Sequence, residues 1–191
     1  MTILSQIRLH LGMVLVTFVA FLTMVGVNEV LFRTVEFIPG INWVYLPAGV
    51  RLLATLLFGL SGAIGLLLAS WCASFWIFFP DDFPRAFVGG IIAAVAPYIV
   101  YVMARRFFGL RGSLANLTAG KLLICIVGYS VASPLMHHIW FHLRDPVGHD
   151  WSGFFVMATG DFLGSVVVFY TIKLALNRWM PPRAAGTPHP R

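Results

Sequence analysis

The chain has 191 residues, of which 59% are hydrophobic and only 10% charged, where a soluble domain carries roughly a quarter. A water-soluble fold of this size could not cover its surface with so few charges, so the lipid bilayer is the implied solvent and first partner. The net charge of +6 does not point to nucleic acid, because the basic residues form no groove or stripe and most of them flank long apolar runs.

A spanning helix needs about 20 mainly apolar residues. Six segments are predicted to be helical: Leu9–Phe32, Trp43–Phe58, Ser61–Phe79, Ala86–Met103, Ala119–Phe141 and Ser152–Leu176. The first is longer than a signal-peptide core and no small-x-small cleavage pattern closes it, so it reads as a retained helix. Pro39-Gly40 closes the loop that follows. The second segment is the shortest, about 24 Å at 1.5 Å per residue, and has Pro47 and Gly49 near its start. It is either an interrupted helix lining a buried site or a tilted helix in a locally thinned bilayer. Gly59 and Gly62 make a tight turn into the third. The run Pro80-Asp81-Asp82-Phe83-Pro84 ends the third, since proline cannot continue a helix there. The fourth connection holds Arg105, Arg106, Gly109, Arg111 and Gly112, and the fifth runs from His142 to Trp151.

Small residues at four-residue spacing suggest where helices approach closely: Gly65, Ala69 and Ala73 on the third, Gly89 with Ala93 and Gly90 with Ala94 on the fourth, and Gly160 with Gly164 on the sixth. The expected fold is all-α, a polytopic membrane bundle of about six helices. Residues 1–176 form one embedded domain, and the proline-rich residues 177–191, with no hydrophobic period, are expected to be a disordered cytoplasmic tail.

Orientation follows from the basic residues. Arg8, Arg105, Arg106, Arg111, Lys121, Lys173, Arg178, Arg183 and Arg191 fall on one side, against Arg33, Arg85 and Arg144 on the other. That asymmetry puts both termini in the cytoplasm.

Ionisable groups within apolar spans are costly and draw attention as functional candidates. Arg51 lies about 12 Å of helix beyond Trp43, and Asp161 about 15 Å beyond Trp151. With the two tryptophans at the same interface, the charges lie at similar depth, and an interhelical ion pair is expected. Such a pair is either structural glue or an anchor, in which Arg51 takes a small anionic ligand, a carboxylate or phosphate, and Asp161 holds it meanwhile. Glu29, next to Asn28, is a further candidate, with a solvated interfacial position as its alternative. Asn42 is placed to cap the second helix and joins Arg51, Asp161 and Glu29 as a ligand-binding candidate.

Other chemistry finds little support. His138 and His142 share a helix face, but with no HExxH glutamate and with Asp145, His149 and Asp150 on an irregular loop, no metal site is expected. Cys72 and Cys125 lie inside apolar segments without metal or disulfide spacing. Ser130 and Ser133 lack a nucleophile elbow, the Asn116-x-Thr118 sequon falls on the cytoplasmic side, and no cofactor motif is visible. The chain is not expected to be an enzyme.

The order Leu46-Pro47-Ala48-Gly49, Leu57-Phe58-Gly59, Gly65 and Ala69-Ser70, closed by Gly160-Asp161-Phe162-Leu163-Gly164, resembles the first type of membrane-associated sensor domain, the MASE family of bacterial signalling proteins. The likeness covers about residues 42–176. It implies a polytopic domain of the bacterial inner membrane with a sensory or ligand-binding role in signal transduction. Such domains precede a histidine kinase, a diguanylate cyclase or a related output module; here the chain reads as a stand-alone membrane domain that works through a partner protein. The competing expectation is a small-solute transporter, or the substrate-capture subunit of one with a transport partner.

Overall fold

The computed structural model describes residues 3–38, 40–112, 114, 116–147 and 151–179. All six expected helices form: α1 (Ile3–Phe32), α2 (Leu46–Phe58), α3 (Leu60–Ala73), α4 (Phe83–Phe108), α5 (Ala119–Arg144) and α6 (Ser152–Trp179). Five are long and apolar enough to cross a membrane, the third by continuing through a π-helical turn at Ser74–Phe78. The protein is therefore an all-α, multi-pass membrane bundle. A two-stranded hairpin, β1 (Glu36–Ile38) and β2 (Ile41–Asn42), lies between α1 and α2.

The helices α1, α4, α5 and α6 overrun the apolar segments from which they were predicted, whereas α2 begins at Leu46 and not at Trp43, because residues 41–42 pair as a strand. α4 carries Arg105 and Arg106 in its last turn, where cations meet the negative end of the helix dipole. It stops at Gly109, whose φ of +59° suits the left-handed cap. α6 likewise continues to Trp179 with Arg178 in its last turn, so residues 177–179 are helical and the expected tail boundary moves outward. Residues 180–191, the rest of that tail, lie outside the described residues.

Small residues set the packing distances. A Cβ on Gly65 would come within 2.6 Å of the Val14 carbonyl oxygen, so α1 and α3 touch backbone to side chain at the position the spacing had marked. Ala69 and Ala73 are buried on the same face. Gly90 on α4 receives the Trp71 indole, whereas a Cβ on Gly89 would meet no neighbour. α1 is apolar all round, yet its buried residues are Thr17, Phe21, Val25 and Asn28, one narrow stripe. The remaining faces of α1 expose leucine and valine, as a lipid-facing helix does.

Contacts sort the helix ends into two groups. His10 of α1 bonds Ser61 of α3 at 2.8 Å, and Gly59, at the α2–α3 turn, lies against the Tyr101 hydroxyl of α4. At the opposite end the Arg144 guanidinium of α5 donates to Asp82, before α4, at 2.7 Å. The hairpin turn at Gly40 rests there on the Phe79 ring. α2 begins inside the bundle and runs to the first of these ends. Its 13 residues make about 20 Å of helix, well short of a hydrocarbon core of about 30 Å.

The connection before α5 is stapled by Asn116, whose amide donates to the Gly109 carbonyl at 2.8 Å while its oxygen accepts from Arg111 N at 3.0 Å. Thr118 caps α5. Both sequon residues thus have local structural work.

Candidate functional site

The irregular segment ahead of α2 determines where the polar residues meet. β1 and β2 pair antiparallel, Glu36 opposite Asn42 and Ile38 opposite Ile41. At the turn Gly40 adopts φ +86° and its amide donates to Glu36 Oε1 at 2.7 Å. Ile41 and Asn42 are buried. In a membrane protein, non-helical backbone inside the bundle persists only where protein satisfies it or where it lines a cavity. The Tyr45 amide donates to the Gly160 carbonyl of α6 at 3.1 Å. The Leu46 amide, first of α2, donates to Asn28 Oδ1 of α1 at 2.9 Å.

Two glycines of α6 make this possible. A Cβ on Gly160 would strike the carbonyl oxygen of Asn42, and one on Gly164 that of Tyr45. The expected GxxxG contact is therefore a cradle for extended chain, with Gly49 of α2 packed against Val168 just beyond. The expected capping role of Asn42 is corrected at the same point. Asn42 sits on β2, too far before Leu46 to act as its cap, and Asn28 supplies the acceptor instead.

Beneath the segment lies a cavity of about 60 Å³, lined by Asn42, Tyr45, Arg51, Ser70, His137 and Asp161 among others. Asp161 is 0% and Arg51 7% exposed. The Arg51 guanidinium carbon stands 5.0 Å from the centre of the Phe21 ring and 5.2 Å from that of Tyr45, within cation–π range. Its Nη2 donates a long hydrogen bond of 3.4 Å to the Tyr45 hydroxyl. Arg51 Nε, both carboxylate oxygens of Asp161, Asn42 Oδ1 and Ser70 Oγ are buried without a hydrogen-bond partner.

The expected Arg51–Asp161 ion pair does not form. Asp82 pairs with Arg144 at the cleft rim, whereas the two buried charges face a shared cavity without touching. Matched depth fixes the height of a residue along its helix and leaves its direction open. The rings of Phe21 and Tyr45 hold Arg51 where it is. The Tyr129 hydroxyl lies within hydrogen-bonding reach of the guanidinium and the Ser133 hydroxyl within reach of the carboxylate.

The π-helical turn enlarges the site on the α3 side. Phe79 N donates to the Ser74 carbonyl at 2.8 Å, and the widened turn brings Ser74, Phe78 and Phe79 to the cavity wall. Such turns recur at functional sites. Arg85, in the first turn of α4, stacks over Phe79 at 4.1 Å and Phe141 at 5.1 Å. With Ile41 and Phe141 it lines both the cavity and a more open cleft of about 740 Å³ rimmed by Asp82 and Arg144.

The cavity thus gathers Arg51, Asp161 and Asn42 and leaves out Glu29, which is half-buried and lines neither space. Its neighbour Asn28 is the buried one. The signal was present in α1: Thr17, Phe21, Val25 and Asn28 follow a helical stripe to which Glu29 does not belong. Tyr129, Ser133 and His137 were missed as well, though their four-residue spacing puts them on one face of α5. His138 packs among the rings of Phe141, Trp151 and Phe154. His149 and Asp150 lie outside the described residues. Comparison with known protein families, with curated proteins and with solved structures finds no match.

Proposed function

We propose that the protein is an integral membrane module of the cell inner membrane that binds a small polar ligand and passes the bound state to a partner protein. The observation that carries this reading is the set of buried polar atoms with unmet hydrogen bonds around one cavity, Arg51 Nε and the Asp161 carboxylate above all. A bundle that used these charges only for cohesion would gain by pairing them, because a buried charge without a partner is strongly destabilising. Groups held apart and aimed into a shared space suit a ligand that completes their bonding. No bond-making step is assigned to the site.

The sensory part of the reading draws on the resemblance to membrane-associated sensor domains. Its two halves, Leu46-Pro47-Ala48-Gly49 and Gly160-Asp161-x-x-Gly164, meet where α2 enters the α6 cradle. A ligand that ordered this junction would shift α2 against α6, and that shift is the output passed to a partner. The positive-inside asymmetry supports placing both termini in the cytoplasm.

A second reading, substrate capture for transport, is favoured by the shared wall between cavity and cleft at Arg85 and Phe141. Mass spectrometry of the natively extracted protein tests both. A small molecule that co-purifies with the wild type and is lost in Arg51→Leu is the expected result. A ligand-free wild type with full stability would sink the binding reading. Uptake into proteoliposomes would favour transport over sensing.

A further inference from the structure

We infer that the cavity selects a small zwitterion, a carboxylate and a primary ammonium on one short skeleton as in the smallest amino acids, with Arg51 taking the carboxylate and Asp161 the ammonium. The inference rests on the binding reading above and names its ligand class.

Arg51 and Asp161 have opposite needs. The guanidinium retains an N–H at Nε with no acceptor, and the Asp161 carboxylate has the Ser133 hydroxyl beside it but no cation in contact. A simple anion would satisfy Arg51 and bring a like charge towards Asp161. A simple cation would do the reverse. A neutral polar molecule would hydrogen-bond both groups but bring neither a counter-charge in contact, and hydrogen bonds between charged groups are the stronger ones. Only a ligand carrying both signs satisfies both groups, and it brings no net charge into the bundle.

Size narrows the class. A single water needs roughly 10–15 Å³ of such space. The cavity of about 60 Å³ therefore holds about four to six water-sized groups, the extent of glycine or alanine. The flanking groups fit a dipolar occupant. Ser70 Oγ and Asn42 Oδ1 are further unpartnered atoms on the wall, and the Phe21 and Tyr45 rings close the Arg51 side. Arg85, the other guanidinium on the wall, is engaged with Phe79 and Phe141 on the side of the cleft, so it does not compete for the role of Arg51.

The test uses the full chain in nanodiscs, with binding followed by calorimetry and by thermal melting. The probes are glycine and L-alanine, with acetate and propionate as carboxylates lacking the ammonium, and methylamine and ethylamine as amines lacking the carboxylate. The amino acids should bind and raise the melting temperature, and each half-ligand should bind about 10–100-fold more weakly, the loss of one charged hydrogen-bonded anchor. Asp161→Asn should abolish the preference of alanine over propionate, and Arg51→Gln should weaken both. The comparison of ligands on the wild type needs no variant, so a variant that fails to fold leaves the result intact. Propionate binding as tightly as alanine overturns the zwitterion while the binding reading stands. The same holds if none of the six binds but another molecule co-purifies. If none binds and nothing co-purifies, both fall.

Discussion

Asn28 shows how a single polar side chain can organise an interrupted helix. Its oxygen is the acceptor for the first amide of α2, and that amide is buried where water cannot replace the bond. Asn28→Ala should cost about 1–3 kcal/mol, the usual range for stranding a buried donor, read as a lower melting temperature in detergent. Glu29→Gln, one residue on but off the buried stripe, should stay within about 0.5 kcal/mol. Equal effects at the two positions would refute the assignment. The same contrast explains what could be read in advance. Arg51 and Asp161 were recognisable because an ionisable residue in an apolar span stands out, and counting from Trp43 and Trp151 matched their depth. Their partners were not recognisable, because Phe21 and Tyr45 reach Arg51 from another helix and from irregular chain, and no local spacing encodes that approach.

At the scale of elements, glycines separate into those that carry the fold and those that merely sit in it. Gly160 and Gly164 face the backbone of residues 42–46, which has no flexible end to yield. Gly164→Ala should push that segment off α6, lower stability by about 1–3 kcal/mol, the range for overpacking, and weaken ligand retention with it. Gly128→Ala on α5 has open space around it and should be neutral or gain up to about 1 kcal/mol, since alanine favours helix. A melt showing the reverse order would rule out the cradle. The spacing of Gly160 and Gly164 was legible in the sequence, but its use was not: the motif signals close approach and does not say whether helix or strand arrives. Electrostatics at the cleft rim adds a pH-dependent term. Burial works against the charged form of Asp82, yet the hydrogen bonds from Arg144 and the Arg85 amide, with the charge of Arg144, outweigh it and hold the carboxyl below its ordinary value. That stabilisation is complete above the ordinary aspartate pKa of about 3.9 and disappears as pH falls through the lower folded value. The pair is partly exposed, at 31% and 42%, so solvent screening limits its worth to about 0.5–1 kcal/mol. Asp82→Asn should cost that much near neutrality and progressively less as pH falls below the ordinary aspartate value of about 3.9, as measured by melting across pH.

The whole molecule is governed by the match between helix length and bilayer thickness, and α2 is the element that breaks it. Composition alone announced a multi-pass bundle, and the proline and glycine breaks located every helix. The hairpin left no readable mark, because strands of three and two residues, of which only β2 is buried, are too short to carry an alternating pattern of their own. The depth of α2 has a consequence for topology. It starts at Tyr45 against Gly160, inside the bundle, and ends at Gly59 beside Tyr101, so the chain from Arg33 to Tyr45 dips into the protein and α2 returns it to the end where α1 began. A reading in which α2 merely lies on the surface would place Arg111 and Asp82 differently with respect to the N-terminus. Reporter fusions distinguish the two. Fusions after Arg111 and after Asp82 should report opposite sides of the membrane, with Arg111 on the cytoplasmic side because the basic residues Arg105, Arg106, Arg111 and Lys121 cluster there. A cysteine introduced at Phe58 should then be labelled only by a membrane-permeant thiol reagent, in a background with Cys72 and Cys125 replaced by alanine. Labelling of Phe58→Cys by an impermeant reagent from the side that reports Asp82 would mean that α2 never crosses to the far end, and the six-helix topology would fall with it.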